Sequence, residues 1–422
     1  MQRQRLAVHA ATLLAALALC PGSALATNGY FAHAYGAKHK GMAGAGAALP
    51  LGPLDAATNP ATVVFAGKRY DFGIAVFNPN RDYTVTGGPS RFPGTFGLVP
   101  GKVESGSRAF PVPHLGRTWM SGDKGAFALA VFGNGGMNTD YDTATFFGSA
   151  PTGVDLAQLF VAPTYAHKLG DKHAIGLSAM LAFQRFRVEG LQAFGAFSSS
   201  AANLTNNDHD SSLGAGARIG YYGEWSKGFS VAAAYQTKVF MSEFDKYAGL
   251  FAGQGDFDVP SNWVVGIAIK PSEDLAFVVD VQQVRYSEIA SVGNPFFPGL
   301  QTARLGDDGA AGFGWQDMTT VKGGVQWRSS EGWTWRAGYS FGEQPIPATE
   351  VLFNILAPGV VEQHATLGVT RALGAGKELH LSAMRAFSQK VSGGNPLEAP
   401  GRQVIELRMD QWEFEVGFSF GF

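Results

Sequence analysis

From about residue 69 to the C-terminus, apolar side chains recur at every second position. Along Trp333 to Phe341, one face carries Trp333, Trp335, Ala337, Tyr339 and Phe341, and the other carries Thr334, Arg336, Gly338 and Ser340. The same alternation sets Trp263, Val265, Ile267 and Ile269 against Asn262, Gly266 and Lys270. It also sets Phe229, Val231, Ala233 and Tyr235 against Ser230, Gln236 and Lys238. A two-residue period turns one face to lipid and the other to water, which is the pattern of a membrane-spanning strand. Fourteen such runs are expected, at about 69–86, 104–120, 125–138, 154–169, 173–189, 211–225, 229–242, 261–270, 275–287, 315–327, 333–342, 362–372, 378–388 and 404–421.

The connections carry as much information as the runs. Short turns such as Ser121 to Lys124, Gly170 to Lys172, Ser226 to Gly228 and Pro271 to Asp274 alternate with long loops. The loops lie near 87–103, 139–153, 190–210, 243–260, 288–314, 343–361 and 389–403. Short turns on one side and long loops on the other mark a bacterial outer-membrane barrel, whose even strand count leaves both ends in the periplasm. The sheet must close, because an open edge in lipid would leave backbone groups unpaired at several kcal/mol each. The fold class expected is all-β: a transmembrane antiparallel β-barrel. Its last run places Trp412, Phe414, Val416, Phe418, Phe420 and Phe422 on one face, and the terminal Phe422 is similar to the signal read by the outer-membrane assembly machinery.

Composition agrees with this picture. The chain has 56 Gly, 12% aromatic and only 16% charged residues in 422, against ~25% charged for soluble domains. Arg3 and Arg5, the apolar run Leu6 to Leu19 and Ala24-Leu25-Ala26 read as a cleaved export signal over 1–26. Cys20 raises a lipoprotein reading, which the bulky Leu19 before it disfavours. Without the leader the chain has no cysteine, hence no disulfide or thiol chemistry. The formal charge of −2 becomes about −4 once Arg3 and Arg5 are removed, which argues against nucleic acid as a partner.

Residues 27–68 do not read as a strand, and the barrel domain is therefore expected over 69–422. The segment contains Asn28-Gly-Tyr-Phe-Ala-His-Ala-Tyr-Gly-Ala-Lys-His-Lys-Gly-Met-Ala-Gly-Ala-Gly46 and then Ala57-Thr-Asn-Pro-Ala61. These stretches resemble the N-terminal hatch of the long-chain fatty-acid transporter (FadL) family, which also includes channels for toluene and other hydrocarbons. The resemblance implies a monomeric barrel plugged by the hatch, with ligand captured outside, held in an apolar pocket and released sideways through a gap in the wall.

Several candidate residues follow. The interruption Gly133-Asn134-Gly135-Gly136 after Phe127 to Phe132 suggests a kink, where the family places its lateral opening. By the same analogy, Asn59, Pro60 and Ala61 are expected to face that kink. Leu191, Phe194 and Phe197 in one loop, and Phe244, Tyr247, Leu250 and Phe251 in another, are candidates for an exposed apolar capture groove. Arg185 and Arg187 are candidate headgroup contacts facing the lumen or its rim, paired with Glu189, with lipopolysaccharide phosphate as an alternative partner. Lys238, Lys322 and Arg336 are further lumen-side cations by alternation.

Two other classes of function compete. An outer-membrane enzyme would need a site, and Asp208-His209-Asp210 and Asp307-Asp308 lie in polar loops without a nucleophile beside them in sequence. A general diffusion porin would leave its lumen open, against which the segment 27–68 argues. No metal or cofactor is expected.

Overall fold

The alternating runs become strands because each lets apolar side chains meet lipid while the backbone pairs sideways. The computed structural model describes residues 28–329 and 331–422; the expected leader at 1–26, with Cys20, lies outside the described residues. Fourteen long strands follow in order: β1 Arg69–Thr86, β2 Phe110–Ser121, β3 Gly125–Tyr141, β4 Thr152–Lys168, β5 His173–Glu189, β6 Asp210–Ser226, β7 Phe229–Gln236, β8 Asn262–Ser272, β9 Leu275–Val284, β10 Met318–Arg328, β11 Trp333–Gly342, β12 Gln363–Gly374, β13 Lys377–Gly394 and β14 Val404–Gly421. Each pairs antiparallel with its chain neighbour, and β1 pairs with β14 from Arg69↔Gly421 to Thr86↔Val404, so the sheet closes on itself.

Facing follows the sequence pattern. Trp335 is 49% and Phe414 56% exposed, whereas the intervening Arg336 and Glu415 are 7% and 4% exposed. Strand limits differ from expectation in a few places. The run expected at 104–120 splits into a short piece, Gly101–Glu104, and β2, because the first pairs only with the upper part of β1. The run at 229–242 breaks after Gln236, and Phe240–Met241 pairs separately with β6. β13 extends to Gly394 because it stays paired with β14 as far as Val404, which shortens the loop expected at 389–403.

Residues 28–68 pack against inward-facing residues of several strands. Small inward residues make this fit: a Cβ on Gly338 or Gly368 would collide with the backbone of Met42 or Gly41. Charge and hydrogen bonds fix the position. Lys40 Nζ lies 2.8 Å from both Glu413 and Glu415 on β14, and Lys38 lies 3.3 Å from Asp71 on β1. The Gly46 and Ala47 amides donate to Asp280 Oδ2 on β9 at 2.8 and 2.9 Å.

Candidate functional site

Among the described residues, the ladder between β2 and β3 stops short. β2 and β3 pair only from Ser121↔Gly125 to His114↔Phe132, yet β3 continues to Tyr141. Higher up the two sides rejoin, where the Gly106 amide donates to Asp140 O at 2.7 Å. Between these ties lies a window, flanked on one side by Phe110 to Pro113 and on the other by the upper half of β3. Its position is written into both strands. Pro111 and Pro113 lack amide hydrogens, so their stretch of β2 suits an unpaired edge. On β3 the register against β4 shifts between Gly133 and Gly135, which is a bulge.

The interior segment covers the window from within. Phe31 bridges Gly135, the Ala32 amide donates to Asn134 O at 2.7 Å, and the Gly136 amide donates to Tyr30 O at 2.9 Å. Contact is so close that a Cβ on Gly135 would overlap the Tyr30 carbonyl oxygen. The Asn134 side chain is held on both sides, accepting from Tyr35 Oη at 2.7 Å and donating to Gln158 Oε1 at 2.9 Å. The partner of the bulge is thus Tyr30 to Ala32, not Asn59-Pro60-Ala61. Asn59 Nδ2 donates to Tyr221 O on β6 at 3.1 Å and to Ala47 O at 3.0 Å, and Asn59 Oδ1 accepts from the Ala61 amide at 3.1 Å. Pro60 packs so tightly on Gly176 of β5 that a Cβ there would collide with it. The motif docks the segment to another part of the wall.

The loop aromatics do not form an exposed groove. Leu191, Phe194, Phe244, Tyr247, Leu250 and Phe251 are all buried, and only Phe197 is exposed. They cap the long-loop end from inside, where burial of aromatic surface outweighs exposure to water. Phe186 on β5 contacts Phe244, Tyr247 and Phe251 at ring distances of 5.5, 4.8 and 4.7 Å. Phe251 meets Phe257 at 4.8 Å, and Phe257 meets Tyr30 at 6.1 Å. Tyr30 also meets Tyr286 at 5.1 Å and Trp315 at 5.8 Å. A continuous column of aromatic rings therefore leads from the loops to the back of the window.

Arg185 and Arg187 are corrected in facing. Phe186 and Val188 point inward and are buried, so the two arginines sit on the outer wall with Leu181 and Phe183. Arg185 lies 3.0 Å from Asp155, and Arg187 keeps the expected partner Glu189 at 3.7 Å. With Asn138, Asp140 and His209 they line a polar outer cleft of about 340 Å³ directly beside the window. Lys322 and Arg336 do point inward: Lys322 Nζ donates to His33 O at 3.1 Å, and Arg336 Nε to Gln326 Oε1 at 2.8 Å. Lys238 lies beyond the end of β7 and pairs with Asp258 at 2.9 Å. His209 Nε2 is 2.9 Å from Asp155, Asp210 accepts from the Lys246 amide at 2.9 Å, and Asp307 is 3.4 Å from Arg304.

A closed antiparallel barrel with lipid-facing aromatics is the architecture of an outer-membrane protein. The family model described as "Outer membrane protein transport protein (OMPP1/FadL/TodX)" matches residues 18–373, and the chain belongs to that family. Among solved structures, it is similar to the Pseudomonas putida toluene transporter TodX, at 16% identity and a TM-score of 0.68 over 94% of this chain and 100% of that one. A Pseudomonas aeruginosa FadL homologue gives 16% identity and a TM-score of 0.68 over 93% and 100%. The Ralstonia pickettii toluene transporter TbuX gives 17% and 0.63 over 92% and 99%. These likenesses show the shared fold. No curated protein matches the chain.

Proposed function

We propose that the protein carries small hydrophobic molecules, long-chain fatty acids or hydrocarbons, across the outer membrane and releases them sideways into it. The observation that carries this reading is the aromatic column, which ends at Tyr30 and Phe31 behind the window. An apolar ligand moving along it exchanges one ring contact for the next without entering water. Release through the window then lets the ligand meet lipid without crossing the polar lipopolysaccharide layer as a free solute. In this reading residues 28–68 are a plug, which sets the protein apart from an open diffusion porin. The barrel works as a monomer, without catalysis or cofactor, in contact with outer-membrane lipid and lipopolysaccharide, and is inserted by the assembly machinery that reads Phe422.

The test is replacement of Gly135 by Val. The side chain would displace Tyr30 from the bulge, so uptake of labelled dodecanoate or toluene by expressing cells is expected to fall at least several-fold while the barrel still assembles. Wild-type uptake in an assembled Gly135→Val protein would remove the window from the route. Large, steady ion conductance of the wild-type protein in planar bilayers would instead favour the porin.

A further inference from the structure

Arg185, Arg187 and Glu189 share the outward face of β5 at its long-loop end, pointing away from the lumen. Below them on that face lie Phe183, Leu181, Leu177 and Ile175, all exposed as lipid-facing side chains are. From Ile175 to Arg185 is ten residues, about 25 Å of height at ~3.3 Å per residue and a strand tilt of about 40°. The apolar band of an outer-membrane barrel is also ~25 Å tall. Arg185 therefore stands where hydrocarbon ends and the headgroups of the outer leaflet begin.

The polar cleft of about 340 Å³ that these residues line is within the ~300–1,000 Å³ range of small-molecule sites. Its charges are only partly used. Asp155 is fully engaged: it accepts from Arg185 at 3.0 Å and from Asn138 Nδ2 at 3.0 Å, with His209 Nε2 at 2.9 Å. Arg185 Nε, in contrast, is buried without a partner. The Arg187 side chain is 38% exposed and lies 3.7 Å from Glu189, beyond good hydrogen-bond length. Lys246, whose Nζ donates to His209 O at 2.8 Å, adds a cation beside the cleft. Asp140 and Glu189 put carboxylates in the same lining. Guanidinium donors with spare capacity fit a phosphate, and carboxylates next to them accept from sugar hydroxyls. A bare anion would meet those carboxylates unfavourably. Just below the cleft, Phe183 lies between Leu159 and Leu213 of the neighbouring strands, an apolar platform on the lipid side.

We infer that this cleft binds the phosphorylated sugar headgroup of a lipopolysaccharide molecule, whose acyl chains lie against Phe183, Leu159 and Leu213. Arg185 and Arg187 take the phosphate, and Asp140 and Glu189 take hydroxyls. Phe110 and Asn138 to Asp140 flank the window and also line the cleft, so the bound lipid sits at the mouth of the window. The inference needs the outer-membrane location but no particular cargo, so it can fail while the transport reading holds.

The experiment measures binding to the full-length protein in phosphatidylcholine nanodiscs, with lipid A, dephosphorylated lipid A and free glucose 1-phosphate as probes. The wild type should bind lipid A about tenfold or more tighter than its dephosphorylated form. Arg185→Gln combined with Arg187→Gln should abolish that preference, and Arg187→Lys should keep part of it. Lys172→Gln, an exposed cation on a short turn at the other end of β5, should change nothing. Equal wild-type affinity for the two lipids would overturn the inference, as would a preference that survives in the double variant. The same loss in Lys172→Gln would reduce the effect to net charge and overturn the site. Glucose 1-phosphate bound as tightly as lipid A would make the cleft a site for a soluble phosphosugar and overturn the lipid assignment. If the double variant does not assemble, Arg187→Gln alone decides, because its side chain is exposed and loosely paired; undiminished lipid A affinity there would overturn the inference.

Discussion

Lys40 shows how a charge is kept inside a membrane barrel. Burial opposes its charge, but Glu413 and Glu415 outweigh burial and hold its pKa above the usual lysine range. A group raised in this way stabilises the folded state fully below its ordinary pKa near 10.5, and that contribution is lost only as the pH rises through the raised value. His33 nearby behaves oppositely: burial, then the charge of Lys40, push it well below 6.5, so it stays neutral. Acid favours any state that can protonate it, and the attachment of the segment weakens as pH falls below about 6.5. Replacing Lys40 by Met leaves two buried carboxylates facing each other without a cation. It should cost about 3–5 kcal/mol, the range for breaking a buried ion pair. The expected result is a lower denaturant midpoint in lipid and new protease cleavage within 28–68. An unchanged midpoint would mean that Asp280 and Asn59 hold the segment without it.

At the scale of elements, β2 and β3 are each unusual, and only together do they breach the wall. The bulge at Gly133 to Gly135 bends β3 away, while Pro111 and Pro113 remove two donors with which β2 would otherwise follow it. Phe31 then occupies the exposed edge as a one-residue bridge, so the window leaves few backbone groups unpaired. Pro111→Val and Pro113→Val together should let the β2–β3 ladder extend past Phe132. Hydrogen exchange at the new amides should slow, and ligand uptake should drop while thermal stability rises. If the amides stay unprotected, the bend in β3 alone sets the window.

At the scale of the whole molecule, closure and filling are separate tasks. Closure depends on β1 meeting β14 over their full lengths, and the chain end is part of that seam. Phe422 stacks on Tyr70 at 5.3 Å, and Arg117 lies over both rings. Deleting Phe422 removes this lock together with the terminal aromatic. The yield of heat-modifiable barrel in membranes should fall sharply, and a normal yield would show that neither matters for assembly. Filling depends on glycines and alanines that face inward, which is why a chain with 56 Gly can hold some forty residues against its inward faces.

The sequence by itself determined the barrel. A period of two, repeated with alternating short and long links, leaves no other way to satisfy backbone groups in lipid, and β1, β5, β11 and β14 begin and end where the alternation does. It also located the bulge, because consecutive glycines in a strand are a local signal. Facing at strand ends was less legible. Arg185 and Arg187 share their face with Leu181 and Phe183, and alternation followed from the middle of β5 would have turned them outward. Pro111 and Pro113 likewise carried an edge signal in plain sight. What only the tertiary structure decided is which distant groups meet: Tyr30 with Gly135, Asn59 with Tyr221, Arg81 with Asn138, and the loop aromatics with one another. Alternation fixes which way a side chain points relative to its own strand. It holds no information on what an irregular segment presents to it from across the lumen.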